Sequence, residues 1–433
     1  MPFENSRSLP KRVAVIGGGI SGLGAANMLA PDNQVVLFEA EWRPGGHART
    51  VLAGTSGQTP VDTGFIVFNF ENYPNLTKLF DRLGVPLIES NMSFSASLDG
   101  GRLEYGLRDL DALFAQKRNV LRPQFLRMIK DVLTFNDKAL EASRDPELTV
   151  GGLLELLGTG PWFRDYYILP LGGAIWSTPT REILDFPARA LVQFFENHAL
   201  LSHTGQHQWY TVRGGSIEYV RRLTAALEDA GVDIRLSAKV EAVRRTETGV
   251  EVKTPAGVWE PFDEVVFATH ADDTLAMLSD ASEVERKALA AVRYQPNHAI
   301  LHGDTSIMPK RKNCWASWVY TEDRKNQSDR IDLTYWMNLL QGIDENDPLF
   351  VTLNTARPIR EELIYDQVTF RHPVYDHAAL QAQGLIRAMN GANNTWFCGA
   401  WMKNGFHEDG LASAVDVVEG MRERNARVLL AAE

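Results

Sequence analysis

The sequence predicts an α/β fold, and the prediction depends on two features near the start of the chain. An apolar run, Arg12 to Ile16, is typical of a buried parallel strand, and an alanine-rich stretch, Ser21 to Ala30, is typical of a helix. Between them lies Gly-Gly-Gly-Ile-Ser-Gly, residues 17–22, and a second apolar run delivers Glu39 about 20 residues later. This order of strand, glycine turn, helix, strand and acid predicts a Rossmann-like domain that binds a dinucleotide.

Each part of this motif has a physical task in binding a dinucleotide. Gly17 allows the chain to reverse, Gly19 allows the backbone to approach a pyrophosphate, and Gly22 allows the helix to pack close to the strand. The free N–H groups at the helix start attract phosphate, and the carboxylate of Glu39 can bond the ribose hydroxyls. A glycine-rich surface turn is the alternative, and it does not explain why a strand, a helix, a second strand and an acid accompany the glycines in this order. The predicted binding residues of this unit are Gly17, Gly19, Ile20, Ser21, Gly22, Glu39 and Ala40.

The next segment, residues 43–50, resembles the Gly-Gly signature of the flavin-containing amine oxidase and phytoene desaturase superfamily. In that superfamily an RxGGRxxT segment follows the acid, holds the pyrophosphate and lies along the flavin. Here the first arginine, both glycines and Thr50 match, and a histidine replaces the second arginine. The resemblance implies non-covalently bound FAD, contacted by Arg43, Gly45, Gly46, His47 and Ala48.

Three later segments resemble further cofactor-binding pieces of the same superfamily. Residues 61–69 correspond to a segment beside the isoalloxazine ring, although a strand end with a turn glycine is the alternative. Residues 209–269 correspond to the middle piece, in which Val240 meets the adenine through its backbone. Residues 396–414 correspond to the last piece, where a helix starting near Gly410 directs N–H groups at the flavin; an ordinary acidic helix start is the alternative. These pieces add Gly64, Phe65, Val240, Gly399, Gly410 and Leu411 to the predicted FAD site.

On this resemblance the FAD-binding domain is discontinuous. A Rossmann-like domain of the glutathione-reductase and amine-oxidase type is predicted from residues 10–90, 205–275 and 386–433. An interleaved substrate domain of mixed sheet and helices is predicted from 91–204 and 276–385. No second GxGxxG motif follows a strand, so no NADPH site is predicted. Electrons are expected to enter from the substrate and to leave to oxygen or another acceptor.

Composition is compatible with two domains in one soluble chain. The 433 residues are 44% hydrophobic and 23% charged, and no run of eighteen apolar residues predicts a membrane span. The net charge of −11 argues against nucleic acid as a partner. Cys314 and Cys398 imply no disulfide framework, and no metal site is predicted. We expect a cytoplasmic protein, peripheral on the inner face of the cell membrane, and the oligomeric state stays open.

The membrane expectation depends on a basic segment, Leu113 to Lys130, which has no acidic residue. Pro123 is expected to divide it into two helices. Apolar residues at helical spacing make an ordinary amphipathic helix with a solvated basic side one interpretation. A membrane-surface segment within 113–142 is the other, because each basic residue near an anionic leaflet contributes about 1 kcal/mol. The basic residues are Lys117, Arg118, Arg122, Arg127 and Lys130.

Aromatic residues of the predicted substrate domain suggest an apolar pocket. Trp318 lies on one predicted strand, and Tyr335 and Trp336 lie on another. Strand alternation places Trp315 and Trp318 on opposite faces, so the tryptophans cannot all line one cavity. Core packing is the alternative for most of them. The residues predicted to line the substrate pocket are Trp176, Trp318 and Trp336.

Three segments sharpen the resemblance. Residues 62–69, 170–176 and 405–410 together look like a bacterial FAD-binding subgroup that includes the methyl-branched fatty acid desaturase of furan fatty acid biosynthesis. The resemblance implies dehydrogenation of a fatty acyl chain of a membrane phospholipid, by hydride transfer to flavin N5 and loss of a neighbouring proton. A methyl-bearing carbon suits this chemistry, because a tertiary centre tolerates positive charge best. The expected partner is therefore a lipid or another hydrophobic small molecule.

His407 and Tyr335 are the candidate catalytic residues, since both are titratable and His407 lies in the segment expected beside the flavin. Its neighbours Glu408 and Asp409 are interpreted as caps of the last helix. Two alternatives stay open: an FAD-dependent amine or protoporphyrinogen-type oxidase, and a non-catalytic flavin-containing assembly protein. The lysine and the aromatic pair that an amine oxidase commonly places near the flavin are not identified in this sequence.

Overall fold

A computed structural model describes residues 10–176, 180–198, 200–201, 207–322 and 331–432. The strands are β1 (Arg12–Ile16), β2 (Gln34–Phe38), β3 (Thr50–Ala53), β4 (Thr59–Asp62), β5 (Val67–Phe68), β6 (Leu87–Ser90), β7 (Phe94–Leu98), β8 (Leu103–Gly106), β9 (Trp209–Val212), β10 (Asp233–Arg235), β11 (Ala242–Arg245), β12 (Val250–Lys253), β13 (Trp259–Phe262), β14 (Glu264–Phe267), β15 (Arg293–His302), β16 (Trp318–Glu322), β17 (Asp332–Trp336), β18 (Phe350–Leu353), β19 (Ile364–Val374) and β20 (Thr395–Phe397). The α-helices are α1 (Ile20–Leu29), α2 (Pro74–Leu83), α3 (Leu110–Leu113), α4 (Pro123–Ala142), α5 (Val150–Leu156), α6 (Pro161–Phe163), α7 (Leu169–Trp176), α8 (Ala188–Asn197), α9 (Ile217–Asp229), α10 (Ala271–Met277), α11 (Glu283–Ala291), α12 (Met337–Gln341), α13 (His377–Met389) and α14 (His407–Ala432).

A parallel sheet in the order β10-β2-β1-β14-β20 holds the glycine motif at its centre. Val13, Ala14 and Val15 of β1 are fully buried, as expected for a strand that is covered on both faces. Helices α1, α9 and α14 pack on one face, and the antiparallel sheet β11-β12-β13 packs with α11 and α13 on the other. The mixed α/β fold class predicted from the sequence is therefore confirmed.

The strands of the parallel sheet come from three separate stretches of the chain. β1 and β2 lie near its start, β10 and β14 in its middle, and β20 near its end. The final helix packs along α1 so closely that a Cβ on Gly24 would overlap the side chain of Leu411. This arrangement supports the discontinuous domain division, which remains a proposal.

A seven-stranded sheet, in the order β19-β15-β18-β17-β16-β7-β8, forms the other large layer. Its strands pair antiparallel except for β7 and β16, which pair in parallel. One face, carrying Phe370 and Tyr335, packs into a large core with helices α4, α5, α7 and α8. The other face carries Trp336 and Phe350 into a small separate cluster. Adjacent residues of β16, β17 and β18 therefore belong to different cores.

Pro123 has the position that the sequence predicts. Lys117–Leu121 forms a 3₁₀ helix, Arg122 is extended, and α4 begins at Pro123. Proline suits this first helical position because its missing N–H would have no partner there. Within the described ranges, no helix is both long enough and apolar enough to cross a membrane.

Candidate functional site

In the turn after β1, one glycine has no room for a side chain and another faces empty space. A Cβ on Gly22 would overlap the carbonyl oxygen of Gly17, which itself has φ +107. Only glycine fits where the loop and α1 meet so closely. A Cβ on Gly19, in contrast, would meet no described atom within 4 Å. The backbone at the start of α1 therefore opens onto free space, where the N–H groups at Ile20 and Ser21 can receive a phosphate.

Glu39 is fixed at the carboxyl ends of β1 and β2. Its Oε2 accepts a hydrogen bond from the backbone N–H of Gly18 at 2.6 Å, and its Oε1 accepts one from Glu41 at 2.8 Å. The neighbouring carbonyl of Glu39 accepts a bond from Ala238, two residues before the buried Val240. This bond brings the segment before Val240 to Glu39 and Ala40 at the carboxyl ends of the strands, where a Rossmann fold binds its ligand.

The second glycine segment lies directly on the first. The N–H of Gly45 donates to the carbonyl of Gly18 at 2.7 Å, and a Cβ on Gly46 would lie 3.1 Å from Cα of Gly19. The side chain of Arg43 donates to the carbonyls of Gly46 at 3.0 Å and Ala48 at 3.2 Å. Arg43 therefore braces the loop itself, while Gly45 and Gly46 allow its close approach to the pyrophosphate turn.

The start of α14 meets the start of α1. A Cβ on Gly410 would lie 2.8 Å from Oγ of Ser21, and Leu411 is buried against α1. The N–H of Gly399 donates to Oγ of Ser413 at 2.8 Å, which ties the end of β20 to the same helix. Three separate sequence segments predicted to bind the cofactor therefore converge on one crevice.

His407 lies at the first position of α14, against the segment that follows β4. Its ring stacks on Phe65 with centroids 3.9 Å apart, and its Nε2 lies 2.6 Å from the hydroxyl of Tyr219. The N–H of Phe65 donates to the carbonyl of His47 at 2.9 Å, and Gly64 leaves no room there for a Cβ. Burial lowers the pKa of His407 to about 3, so the imidazole is neutral at physiological pH.

The neighbours of His407 act as caps, although one of them caps a different helix. The carboxylate of Glu408 accepts hydrogen bonds from the backbone N–H groups of Asn75 at 3.0 Å and Leu76 at 2.9 Å, so it caps α2. Asp409 accepts a bond from the N–H of Phe406 at 2.9 Å, next to the start of α14. The sequence-based interpretation of both as caps of the last helix is corrected for Glu408, because its partner helix is remote in sequence.

A cluster of three histidines lies beside the second glycine segment. The ring centroid of His47 lies 5.9 Å from that of His270, 5.6 Å from that of His372 and 5.0 Å from that of Phe370. Burial lowers the pKa of His47 to about 4 and the pKa values of His270 and His372 to about 3. Sequence reasoning missed His270 and His372 as site residues. Only His270 carried a signal, since it follows the end of β14.

Aromatic side chains form an apolar region next to these histidines. Trp176 packs on Phe194 at 5.0 Å, and Phe194 stacks on Phe406, the residue before His407. Trp318 and Tyr335 pack edge to face at 5.2 Å in the same large core.

Trp336 lies elsewhere. It packs on Trp315 at 5.3 Å across the opposite face of the sheet, in the small cluster with Phe350. The predicted grouping of Trp336 with Trp176 and Trp318 is corrected, because adjacent residues of a strand point to opposite faces.

Comparison with known proteins agrees with this geometry. The family model of flavin-containing amine oxidoreductases matches residues 20–302, more than half of the chain. The chain therefore belongs to the family of flavin-containing amine oxidoreductases, and its dinucleotide cofactor is FAD. The glycine turns and the open space at Gly19 fit this cofactor. Gly17, Gly19, Gly45, Gly46 and Glu39 would hold its pyrophosphate and ribose.

Solved structures share the fold at low sequence identity. A CLA-producing fatty acid isomerase from P. acnes is 16% identical, with a TM-score of 0.67 over 96% of this chain and 99% of that chain. A protein from Exiguobacterium sp. 255-15 that was assigned as a protoporphyrinogen oxidase is 19% identical, with a TM-score of 0.70 over 96% and 99%. Cyclohexylamine oxidase from Brevibacterium oxydans IH-35A is 16% identical, with a TM-score of 0.66 over 95% and 100%.

We expect Glu39→Ala to weaken FAD retention about 10- to 100-fold, because a hydrogen bond to a charged group contributes about 1.5–3 kcal/mol. The measurement is the FAD content after extensive dialysis, compared with the dissociation constant from fluorescence quenching. Glu41→Ala, a change at the exposed neighbour, is the matched control. Full FAD retention in the Glu39→Ala variant would show that this carboxylate does not bind the cofactor.

Proposed function

We propose that the protein is an FAD-dependent dehydrogenase that desaturates a fatty acyl chain, with a methyl-branched acyl group of a membrane phospholipid as substrate. The observation that carries the proposal is an exposed apolar and basic surface on α4 and the segment before it. FAD supplies the two-electron acceptor for the reaction. The protein itself must bind the acyl chain, exclude water and accept one proton.

The surface is defined by Leu110, Val120, Leu121, Leu126, Leu133 and Leu140, which we term the apolar patch. Leu126, Leu133 and Leu140 are spaced by seven residues, so they form one stripe along α4. Leu121 is 84% exposed and Leu110 is 73% exposed, whereas large apolar side chains are ordinarily buried. An apolar stripe in solvent marks a surface that is covered by something else.

Basic residues flank the apolar patch. Lys117, Arg118, Arg127 and Lys130 are exposed, and Arg122 is half-buried. The inner side of α4 carries Phe125, Met128 and Phe135 into the large core. Core packing therefore explains the inner stripe of α4, and it leaves the outer leucines beside the basic residues unexplained. Leucines with flanking cations are the composition of a helix that lies on an anionic bilayer.

A substrate that comes directly from the bilayer avoids the free-energy cost of moving an acyl chain into water. Moving a chain of about sixteen carbons into water costs on the order of 13 kcal/mol, at about 0.8 kcal/mol per CH₂. An enzyme that takes the chain directly from the bilayer avoids this cost. Beneath the patch, α4 shares a core with Trp176, Trp318 and Phe406, and Phe406 is the residue before His407. A fatty acid isomerase from P. acnes has a similar fold. This similarity supports the proposal of an acyl substrate.

Desaturation removes two hydrogens from adjacent carbons. One leaves with the electron pair to FAD, and the other leaves as a proton that a protein group must accept. We propose His407 as the acceptor, since it is neutral and lies at the start of α14. We propose that Nε2–H of His407 donates to the hydroxyl oxygen of Tyr219, 2.6 Å away, which leaves Nδ1 to accept the proton. Burial holds the pKa of Tyr219 well above its ordinary value, so the phenol stays neutral. Tyr335 is proposed to position the chain beside Trp318.

We expect His407→Gln to lower kcat by about 10²- to 10⁴-fold, the range that general acid–base groups contribute, without loss of FAD. The measurements are single-turnover rates and the flavin absorbance spectrum. Tyr219→Phe tests the partner of His407 separately, because it removes only the hydroxyl that bonds this imidazole. An unchanged rate in the His407→Gln variant would exclude this residue as the proton acceptor.

We expect removal of the patch to abolish most vesicle binding. Changing Leu121, Leu126 and Leu133 to Gln, or the five basic residues to Gln, should reduce sedimentation with anionic vesicles and leave the FAD content intact. High salt should mimic only the second change, because salt screens charge and not apolar contact. Leu385→Gln, at an exposed leucine of α13, is the control. Undiminished vesicle binding by both variants contradicts the membrane proposal, and loss of a dimer in the leucine variant assigns the stripe to a second copy of the chain.

The function itself is tested by product analysis. Holoenzyme is incubated with vesicles that contain phospholipid with a methyl-branched acyl chain, and the released fatty acids are examined by mass spectrometry. We expect a product lighter by two hydrogens, with an alkene next to the branch. An unchanged acyl chain, together with turnover of a small amine, would instead assign the protein to amine oxidation.

A further inference from the structure

A relay of side-chain amides joins the end of β18 to the histidine cluster. Oδ1 of Asn354 accepts a hydrogen bond from the backbone N–H of His298 at 2.9 Å, and Nδ2 of Asn354 donates to Oδ1 of Asn297 at 2.6 Å. Nδ2 of Asn297 then lies 2.9 Å from Nδ1 of His372. Three residues that are distant in sequence thus form one continuous chain of hydrogen bonds.

The direction of every bond in this relay is determined by its first member. A backbone N–H can only donate, so the atom of Asn354 that faces His298 must be oxygen. The other atom of that amide is then the NH₂ group, which requires oxygen on the facing side of Asn297. The NH₂ group of Asn297 therefore faces His372, and Nδ1 of this histidine must accept. The proton of a neutral imidazole consequently resides on Nε2.

The backbone conformation of Asn354 and the burial of Asn297 both favour asparagine at these two positions of the relay. Asn354 has φ +53, in the left-handed region that non-glycine residues seldom occupy and asparagine tolerates best. Asn297 is almost fully buried, so its amide depends on protein partners for both of its polar atoms. Within the described residues, the hydrogen bonds found for these two amides all lead toward His372 or back to β15.

We propose that this relay holds His372 as the neutral Nε2–H tautomer, and that its free N–H is a fixed hydrogen-bond donor facing the FAD. Asn297 and Asn354 are then positioning residues. No described residue hydrogen-bonds to Nε2 of His372, and the ring is partly exposed between His47 and Phe370.

The ring of His372 lies next to the second glycine segment, through its contact with His47. His47 belongs to the segment that lies on the pyrophosphate turn, and its ring packs against His372. Burial and the nearby His47 lower the pKa of His372 to about 3, which agrees with a neutral ring. A neutral donor stabilises the negative charge that a flavin gains on reduction. The inference does not depend on the identity of the substrate.

The tautomer is tested directly on holoenzyme by ¹⁵N NMR of labelled histidine, with the His372 signal assigned from the spectrum of the His372→Gln variant. We expect a proton on Nε2 and none on Nδ1 between about pH 6 and pH 9. Asn354→Asp replaces the donor NH₂ by oxygen, so the amide of Asn297 must reverse and the proton should move to Nδ1 of His372. A proton on Nδ1 in the parent protein, or an unchanged tautomer in the Asn354→Asp variant, overturns the relay.

The role toward FAD is tested by the midpoint potential of the bound flavin in substrate-free holoenzyme. His372→Phe should shift the redox equilibrium toward oxidised flavin by about tenfold, which for a two-electron couple lowers the potential by about 30 mV. His372→Gln retains an N–H near the position of Nε2 and should stay close to the parent potential. His377→Gln, at the start of α13 and outside the relay, controls for unspecific effects. A parent-like potential in the His372→Phe variant overturns the proposed contact with FAD.

Discussion

Replacement of Gly19 by alanine is expected to leave the apoprotein folded and to weaken FAD binding about 100-fold. A Cβ at this position meets no described atom within 4 Å, so the protein itself accommodates it. The same space receives the pyrophosphate, and overpacking by one methyl group there costs about 1–3 kcal/mol. The measurements are FAD titration by fluorescence quenching and the Tm of the apoprotein.

Two other glycines provide controls for this experiment. Gly22→Ala introduces an overlap with the carbonyl of Gly17, so both the Tm of the apoprotein and FAD binding should fall. Gly384→Ala lies in the exposed face of α13, where a Cβ also meets nothing, and it should stabilise the helix by about 0.5–1 kcal/mol. A Gly19→Ala variant that binds FAD like the parent protein would place the pyrophosphate elsewhere.

Loss of the carboxylate of Asp62 is expected to destabilise the protein by about 3 kcal/mol or more. This fully buried group accepts hydrogen bonds from Thr50 at 2.6 Å, from Oγ of Ser216 at 2.7 Å and from Gln341 at 3.0 Å. Asp62→Ala leaves these buried donors without an acceptor, and each such group costs about 1–3 kcal/mol. Chemical denaturation measures the change, and Asp111→Ala, at an exposed acid, is the control.

The same residue predicts a pH dependence. Burial raises the pKa of Asp62 to about 6, above the value of 3.8 for an exposed aspartate. The folded state therefore binds more protons than the unfolded state between these values, and the contribution of this group to stability falls as pH rises from about 4 to about 6. Asp62→Ala should remove that component of the slope. A slope equal to that of the parent protein would show that Asp62 does not titrate in this range.

The sequence alone was sufficient to predict the glycine turn and the acid of the cofactor crevice, because both depend on residues that are close together in the chain. The glycines at residues 17–22 and the acid at Glu39 are set by chain reversal and by a single strand–helix–strand unit. Pro123 likewise marks a helix start through its own geometry. The structure adds the space at Gly19 and the anchoring of Glu39, and the family match establishes FAD.

The remaining parts of the site depend on contacts between distant segments. Glu408 bonds to Asn75, and the orientation of His372 depends on Asn354 and Asn297, so no window of sequence contains either interaction. The face of Trp336 depends on strand register, in which a shift of one residue exchanges the two sides of the sheet. The exposure of the leucine stripe on α4 is likewise decided by tertiary packing, although its spacing is visible in the sequence.

Anaerobic mixing of the holoenzyme with lipid tests the central claim most directly. Vesicles with a methyl-branched acyl phospholipid are added while the flavin absorbance is followed, and small amines are added in a parallel experiment. We predict that the lipid bleaches the flavin, with one alkene formed per FAD reduced, and that amines have no effect. A flavin that stays oxidised in the presence of lipid and is bleached by an amine would contradict the account.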